Sequence, residues 1–351
     1  MIDKLVKESV KGLKPYMPNK YSYKYKMDAN ESPFILESFV MDKIIGRFKK
    51  VSLNYYPDTD ANILTKKIAQ YVGVEQENII TGNGSDEMIK LLLETFVDKS
   101  DTVLAHTPTF VMYKHGCDII GANYIGIESD DNFNIDVDEI IDASKRLKPK
   151  VIFICNPNNP TGNIISKTDI IKIIKQTNAI VVVDEAYIEF GGETVISLVN
   201  KFDNLIVLRT LSKAFGLAGI RTGYLVSNTE IINYIKAVKP PYNLNAISQI
   251  VGEIILDEKT FISNNIEYIK KQRDKLYAEM KKIDDIIVYP SETNFILFSI
   301  DRENIFEELI KRGFMIRPFN GGKLNGCFRV TVGKSEENKL FVDTLREVVK
   351  I

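Results

Sequence analysis

The sequence predicts an α/β fold, with a large domain whose mostly parallel sheet is covered by helices and a smaller α+β domain after it. Between about residues 60 and 240, short and fully apolar runs alternate with amphipathic helical stretches, which is typical of strands buried on both faces. After the Pro240-Pro241 pair, a long charged helical stretch and further strand and helix patterns follow. A chain of 351 residues is long enough for two domains.

The elements can be placed in order along the chain. Residues 1–30 carry no clear element, so we expect an N-terminal arm that packs elsewhere on the protein. The large domain is predicted to span 31–245, with strands over 102–105, 124–127, 151–155, 180–183, 205–208 and 223–226 and helices over 62–72, 86–96, 166–176 and 230–238. The small domain is predicted to span 246–351, with helices over 261–282, 305–312 and 336–349 and strands over 295–300 and 328–332.

The composition excludes several classes of function. The 46 basic and 47 acidic residues are scattered along the chain without a basic stripe, so we expect no nucleic-acid partner. No apolar run approaches the roughly 18 residues of a membrane span, and the acidic N-terminus does not resemble a signal peptide, so we expect no membrane association. Three widely spaced cysteines favour reduced thiols and a cytoplasmic location.

Histidine is scarce in this chain. His106 and His115 are the two histidines, and their spacing matches no metal-ligand pattern, so we expect no metal site. The Gly-x-Ser-x-Gly elbow of serine hydrolases is also missing from the sequence. An enzyme with so few histidines is expected to use a cofactor for its chemistry.

Three polar side chains follow successive predicted strands, at about one strand-plus-helix unit from each other: Asn156, Asp184 and Lys213. Ligands of open α/β sheets bind at the carboxyl ends of the strands, so these three residues are expected to lie side by side. A lysine amine can condense with a carbonyl cofactor, and an aspartate can pair with the ring nitrogen of pyridoxal phosphate. Taken singly, Lys213 and Asp184 are more simply interpreted as ordinary charges at strand ends, so the hypothesis rests on the three residues together.

A candidate phosphate site precedes the helix predicted at 86–96. The turn at 81–87, TGNGSDE, is rich in glycine, and such a turn at a helix start can bind an anion. It does not match a dinucleotide fingerprint, because Glu87 occupies the third glycine position and no strong strand is expected before the turn. Arg221 supplies a cation close to Lys213 in sequence. A simple helix cap and a surface salt bridge are the alternative interpretations of these two features.

Three segments together resemble the fold-type I pyridoxal-phosphate aminotransferases: NPNNPTG at 156–162, DEAYIEF at 184–190 and RTLSKAFGLAGIR at 209–221. Within that group they are most similar to the histidinol-phosphate aminotransferases, and the resemblance runs from DANESP at 28–33 to FRVTVG at 328–333. It implies transfer of an amino group from glutamate to imidazole-acetol phosphate. Two enzymes of the same fold remain as alternatives, a threonine-phosphate decarboxylase and an aromatic amino-acid aminotransferase. A regulator that has lost turnover is disfavoured by the intact lysine.

The resemblance also implies roles for individual residues. Lys213 would bind the aldehyde of pyridoxal 5′-phosphate and move the proton, and Asp184 would pair with the ring nitrogen. Asn156 and Tyr187 would hydrogen-bond the phenolic oxygen, and Phe110 would stack on the ring. The phosphate would be held by Ser85 and Asp86 through backbone amides and by Ser212 and Arg221, with Tyr56 reaching it from the neighbouring subunit of a homodimer.

The substrate-binding residues implied by the resemblance come from the arm and the C-terminal region. Arg329 would clamp a carboxylate or phosphate, because a guanidinium donates two parallel hydrogen bonds to either anion, and Arg317 would assist it. Four further residues would line the pocket: Tyr16, Asn30, Tyr242 and Asn294.

Overall fold

The computed structural model describes residues 2–15 and 21–350. The strands are β1 Tyr25–Lys26, β2 Ile79–Gly82, β3 Thr102–Thr107, β4 Asn123–Glu128, β5 Val151–Cys155, β6 Ile180–Asp184, β7 Leu205–Thr210, β8 Gly223–Ser227, β9 Ile286–Val288, β10 Phe295–Ile300, β11 Phe314–Met315, β12 Arg317–Pro318 and β13 Cys327–Thr331. The α-helices are α1 Glu8–Lys11, α2 Ser38–Phe48, α3 Asn62–Val72, α4 Ser85–Phe96, α5 Met112–Ile120, α6 Val137–Leu147, α7 Lys167–Gln176, α8 Thr229–Val238, α9 Ala246–Ile255, α10 Lys259–Met280, α11 Ile305–Lys311 and α12 Ser335–Lys350.

The large sheet has seven strands in the order β2-β8-β7-β6-β5-β3-β4. Strands β3 to β7 run parallel, β8 runs antiparallel to them, and the edge strand β2 pairs antiparallel with β8. Alternate residues of β5 enter two different cores: Val151 and Phe153 pack with α4, α5 and α8, whereas Ile152 and Ile154 face the core that contains α3, α6 and α7. Both faces of the strand are therefore buried, which is why its sequence is apolar without alternation.

The C-terminal part of the chain forms a smaller antiparallel sheet in the order β12-β13-β10-β9, with α10, α11 and α12 packed around it. Its core is aromatic, because Phe298 contacts both Phe328 and Phe341. This architecture confirms the predicted fold class. Helix α9 packs on α2 and α3, next to the large sheet.

Several elements differ from expectation. The N-terminal region was expected to lack elements, but the structure contains α1 and β1, and β1 pairs in parallel with β11. The two residues of β1 are too few for a local pattern, and their partner lies far away in sequence. Strand β2 was also missed, because a four-residue edge strand that ends at Gly82 resembles the glycine-rich turn that follows it.

The segment at 27–31 crosses to the small sheet, where its backbone forms hydrogen bonds with Thr331. Met27 O accepts a hydrogen bond of 2.8 Å from Thr331 N, and Asn30 N donates to Thr331 Oγ1 at 2.9 Å. At the neighbouring strand, Val332 N donates to Asn294 O at 2.9 Å. Residues distant in sequence are thereby placed beside the carboxyl ends of the large sheet.

Gly223, the first residue of β8, is expected to be essential for packing of the glycine-rich turn. A Cβ there would lie 2.3 Å from Ser85 N and 2.4 Å from Gly84 C, both backbone atoms. We expect Gly223→Ala to lower the free energy of unfolding by about 1–3 kcal/mol, measured by urea denaturation. Gly46→Ala in α2 is the control, because no atom lies within 4 Å of its added Cβ. Equal stability of the two variants would contradict the prediction.

Candidate active site

The carboxyl ends of three adjacent parallel strands present Asn156, Asp184 and Lys213 at one edge of the sheet. Asn156 directly follows β5, Asp184 ends β6, and Lys213 lies three residues after the end of β7. Asn156 N donates a hydrogen bond of 2.9 Å to Asp184 O, so the first two residues are direct neighbours across the ladder. The expected order of these residues along the sheet edge is thus present in the structure.

Asp184 is a buried carboxylate, with 2% of its surface exposed. Its Oδ2 accepts a hydrogen bond from Tyr113 Oη at 2.7 Å, and its Oδ1 accepts from Ala186 N at 3.1 Å. Burial raises the pKa of Asp184 to about 6, against the opposing effect of these two hydrogen bonds. In the described parts of the chain no lysine or arginine forms an ion pair with it. The site therefore favours a cationic hydrogen-bond donor at this carboxylate.

Lys213 is partly buried, and its Nζ donates a hydrogen bond of 3.1 Å to Ala29 O. The same nitrogen lies 5.9 Å from the centre of the Tyr187 ring. Burial lowers the pKa of Lys213 to about 8, and the positive charges of Arg329 and Arg221 act in the same direction. Near neutral pH a much larger fraction of this amine than of an ordinary lysine is therefore neutral and thus nucleophilic.

The lowered pKa of Lys213 predicts unusual reactivity in the cofactor-free protein. Because only the neutral amine is acylated, its labelling by trace acetic anhydride should rise with pH, with a midpoint at about 8, and level off above about pH 9. Mass spectrometry of the digest would follow the Lys213 peptide, with the exposed Lys201 peptide as an internal reference. Labelling of Lys213 that still rises tenfold per pH unit above pH 9 would contradict the prediction.

Tyr187 and Asn30 form a buried polar pair beside Lys213. Asn30 Nδ2 donates to Tyr187 Oη at 2.9 Å, and Asn294 Nδ2 donates to Asn30 O at 3.0 Å. Burial raises the pKa of Tyr187 to about 12, so its hydroxyl stays protonated and can donate a hydrogen bond. Asn294 Oδ1 is buried without a hydrogen-bond partner among the described residues, so this acceptor is available to a donor group of a ligand.

Asn156 is held by the turn that follows it. Its Oδ1 accepts from Ile165 N at 2.8 Å, and its Nδ2 donates to Ile165 O at 3.2 Å. These bonds fix the orientation of the amide and leave one of its two N–H groups for a ligand.

A second group of predicted residues meets at the start of α4. Arg221 Nη2 lies 3.1 Å from Asp86 Oδ2, and Arg221 Nη1 donates to Ser212 Oγ at 3.5 Å. Gly84 has a φ of 84°, and a Cβ there would lie 2.7 Å from Arg221 Nη2. The glycine therefore leaves room for the guanidinium in front of the helix N-terminus and Ser85, an arrangement suited to an anion.

The expectation that no strand leads into this turn was wrong. Strand β2 ends at Gly82, immediately before it, and pairs with β8 through Gly82 and Gly223. The turn thus has a strand on one side and a helix on the other. Glu87 also contributes to it, because its Oε2 accepts from Asn83 N at 2.6 Å.

Two arginines lie directly opposite each other on the small sheet. Arg317 of β12 pairs with Arg329 of β13, so the two side chains start from the same face. Arg329 is 8% exposed, donates to Asn159 Oδ1 and to Asp28 O at 2.7 Å, and lies 5.2 Å from the Phe295 ring. Like charges directly opposite each other are destabilising, and an anion bound between them would offset the repulsion.

Three predicted aromatic residues are less enclosed. Tyr56 and Tyr242 stack on each other at 4.4 Å and are 79% and 42% exposed, so they form a surface pair. Phe110 is partly buried and meets the edge of Tyr113 at 5.6 Å. Tyr16 lies outside the described residues.

Sequence reasoning missed two residues that contact the site. Tyr113 donates to Asp184, and Asn159 accepts a hydrogen bond from Arg329. Asn159 lies within the turn at 156–162 that was singled out, whereas only the helical pattern of α5 could have directed attention to Tyr113.

Among the residues that the structure describes, no three His, Cys, Asp or Glu side chains come together in an arrangement that could bind a metal ion. Within the same residues, none of the helices is both long and apolar enough to cross a membrane.

The chain is similar over nearly its whole length to known aminotransferases. The family model for aminotransferase class I and II matches residues 22–345. The histidinol-phosphate aminotransferase of Caldanaerobacter subterraneus subsp. tengcongensis is 45% identical over 351 residues, which cover 99% of this chain and 100% of the relative.

Solved structures of aminotransferases are also similar to this chain. The histidinol-phosphate aminotransferase from Clostridium acetobutylicum superposes with a TM-score of 0.85 at 27% identity, covering 93% of this chain and 99% of that one. The enzyme of that name from Sinorhizobium meliloti, solved in complex with pyridoxal-5′-phosphate, has a TM-score of 0.86 at 22% identity and covers 94% of this chain and 92% of its own. At this level of identity, the second similarity shows a shared fold and nothing more.

Proposed function

The chain belongs to the aminotransferase class I and II family, and we propose that it transfers the amino group of L-glutamate to imidazole-acetol phosphate, giving 2-oxoglutarate and L-histidinol phosphate. Identity of 45% over the full length of a histidinol-phosphate aminotransferase supports this substrate pair. The observation that carries the chemistry is the pair of buried groups with opposed shifts, since the pKa of Lys213 is lowered and that of Asp184 is raised.

The cofactor of the enzyme is pyridoxal 5′-phosphate, and the residues present fit it. A buried carboxylate without an ion-pair partner in the described chain suits a protonated ring nitrogen, and the N-terminus of α4, with the Arg221 guanidinium packed beside Gly84, suits a phosphate. We propose that the backbone amides of Ser85 and Asp86, together with Ser212 and Arg221, hold the phosphate. Phe110 is proposed to lie on the ring.

When bound, pyridoxal phosphate supplies an aldehyde that condenses with amines and a ring that withdraws electrons from the adjoining carbon. Lys213 Nζ is proposed to bind that aldehyde in the resting enzyme and, once replaced by substrate, to take the proton from the substrate Cα. Its lowered pKa suits this task, because a general base works best with a pKa near the working pH. Asp184 holds a proton at the ring nitrogen, while Tyr187 Oη and the remaining N–H of Asn156 donate to the ring oxygen.

Substrate binding is proposed to rest on Arg329 with Arg317, and on Asn30, Asn294 and Tyr242. The two opposed guanidinium groups match a feature that both substrates share, an anionic group away from the reacting carbon. For glutamate this group is a carboxylate, and for the imidazole substrate it is a phosphate.

Substrate assays provide the direct test of the proposed function. Purified protein with pyridoxal phosphate should convert glutamate and imidazole-acetol phosphate to 2-oxoglutarate and histidinol phosphate, with kcat/KM at least about tenfold above that for phenylalanine as donor. The decarboxylase alternative predicts release of CO₂ from L-threonine phosphate without any keto acid. Rapid CO₂ release combined with absent transamination would overturn the assignment.

We further propose a cytoplasmic homodimer in which Tyr56 reaches the phosphate of the neighbouring subunit. Tyr56 and its neighbours Leu53 and Tyr55 are each more than 70% exposed, and Tyr56 stacks on the exposed Tyr242, so the tyrosine belongs to an exposed apolar surface. The three cysteines are free and buried, which suits a reducing compartment.

Subunit mixing tests this shared site. Lys213→Ala should be nearly inactive and Tyr56→Ala impaired, whereas equal mixing after dissociation should bring about a quarter of the active sites to full activity, because each mixed dimer contains one intact site. Analytical ultracentrifugation would follow the dimer. Mixed samples without recovery, at full dimer formation, would show that Tyr56 acts within its own subunit or not at all.

A further inference from the structure

Tyr113 is a fully buried tyrosine whose hydroxyl contacts a carboxylate of the site. It belongs to α5, is 0% exposed, and its Oη donates a hydrogen bond of 2.7 Å to Asp184 Oδ2. The ring is fixed on both sides. It stacks on Phe153 of β5 at 4.3 Å with an interplanar angle of 7°, and its other contact is the edge of Phe110 at 5.6 Å.

We infer that Tyr113 is a positioning residue, whose hydroxyl fixes the orientation of Asp184 and keeps its carboxylate ionised opposite the ring nitrogen of the cofactor. The inference rests on the proposed function for the cofactor's place, but the Tyr113–Asp184 contact is a property of the protein alone. Because Phe110 touches the same ring, Tyr113 also connects the carboxylate to the residue proposed to stack on the cofactor.

The electrostatic surroundings of Asp184 explain why such a donor is needed. Burial raises the pKa of the carboxyl, and the negative charges of Asp86 and Glu185 act in the same direction. The opposing contributions come from the hydrogen bonds of Tyr113 and Ala186 N, of which that of Tyr113 is the larger. Cys155 and Tyr187 are the other titratable groups that interact electrostatically with Asp184. Both have a raised pKa and are therefore neutral.

Tyr113 itself cannot compete for the negative charge. Burial and the neighbouring carboxylate raise the pKa of its hydroxyl well above the ordinary value, so the proton stays on the tyrosine. The tyrosine is thus a permanent donor, and a hydrogen bond to a carboxylate favours the ionised form over the protonated one.

The experiment removes the hydroxyl and keeps the ring. In the cofactor-free protein, ¹³C NMR of carboxyl-labelled aspartate would follow the titration of Asp184, assigned by its absence in Asp184→Asn. Tyr113→Phe should raise the midpoint from about 6 by about one pH unit or more, a tenfold increase in proton affinity. In the loaded enzyme kcat at neutral pH should fall by about tenfold with KM within a factor of about two.

Tyr224→Phe is the matched control. Tyr224 is also 0% exposed, but its hydroxyl has no hydrogen-bond partner among the described residues. Loss of this hydroxyl should change neither the Asp184 titration nor kcat. A general effect of removing a buried hydroxyl would move both variants alike and would overturn the inference, as would an unchanged Asp184 titration in Tyr113→Phe.

A second variant covers the case in which Tyr113→Phe does not fold. Difluorotyrosine at position 113 retains ring and hydroxyl but is a more acidic donor, so it should lower the Asp184 midpoint, the opposite direction to Tyr113→Phe. A midpoint that stays in place or rises would refute the inference. If the titrations move as expected while the substrate assays fail, the proposed function is wrong and the Tyr113–Asp184 contact stands.

Discussion

Lys213→Ala is expected to lower kcat/KM of both half-reactions by at least about 10³-fold, the largest effect of any single substitution proposed for this protein. The variant loses the amine that binds the cofactor aldehyde and the base that moves the substrate proton. Its partners are backbone and ring atoms, Ala29 O and the Tyr187 ring, so no buried charge is left unpaired by the substitution. The fold should therefore persist, and the loss should be chemical.

Three measurements separate this loss of chemistry from loss of binding. Borohydride reduction followed by peptide mapping should place the cofactor on Lys213 in the parent protein and leave Lys213→Ala unlabelled. Cofactor affinity, followed by absorbance, should weaken while the phosphate site still binds. Added methylamine should restore part of the proton-transfer rate, and Lys201→Ala, an exposed control, should behave like the parent. Transamination by Lys213→Ala at the parent rate would remove Lys213 from the mechanism.

The features that were predicted from sequence are those with local causes. Strand β5 was predicted with its observed bounds because five consecutive apolar residues can be accommodated only where both faces of a strand are buried. The position of Asp184 followed from the same logic, since a charged residue directly after such a run must lie at the sheet edge. The prediction thus rested on patterns a few residues long.

The features that were missed depend on contacts between distant residues. The hydrogen bond from Asn30 N to Thr331 Oγ1 joins residues 301 positions apart, and no sequence pattern near either residue predicts it. The approach of Tyr113 to Asp184 depends on how α5 is rotated against the sheet, which is set by side-chain packing. The pairing of Arg317 with Arg329 depends on the register between β12 and β13, which the hydrophobic pattern of a two-residue strand cannot specify.

The second large effect is expected at Arg329. Arg329 is 8% exposed, its guanidinium lies close to the rings of Phe295 and Phe319, and its Nη groups are oriented by Asn159 Oδ1 and Asp28 O. Removing it would leave the anionic end of either substrate desolvated without its main partner, at a cost of roughly 2–5 kcal/mol. We therefore expect Arg329→Ala to lower kcat/KM at least about 30-fold with both glutamate and histidinol phosphate, while the cofactor stays bound.

Single-turnover spectra with each substrate would measure this effect separately for the two half-reactions. Arg329→Lys keeps the charge but loses the paired donors, so it should recover only part of the rate, and more with the phosphate, which a point charge binds well, than with the planar carboxylate. Arg346→Ala is the control, because Arg346 forms surface ion pairs with Glu279 and Asp343 that contribute little. Parent-like rates for Arg329→Ala with both substrates would place the anion clamp elsewhere. A loss confined to one substrate would mean that carboxylate and phosphate bind to different groups, with Arg317 as the next position to substitute, because it lies directly opposite on the neighbouring strand.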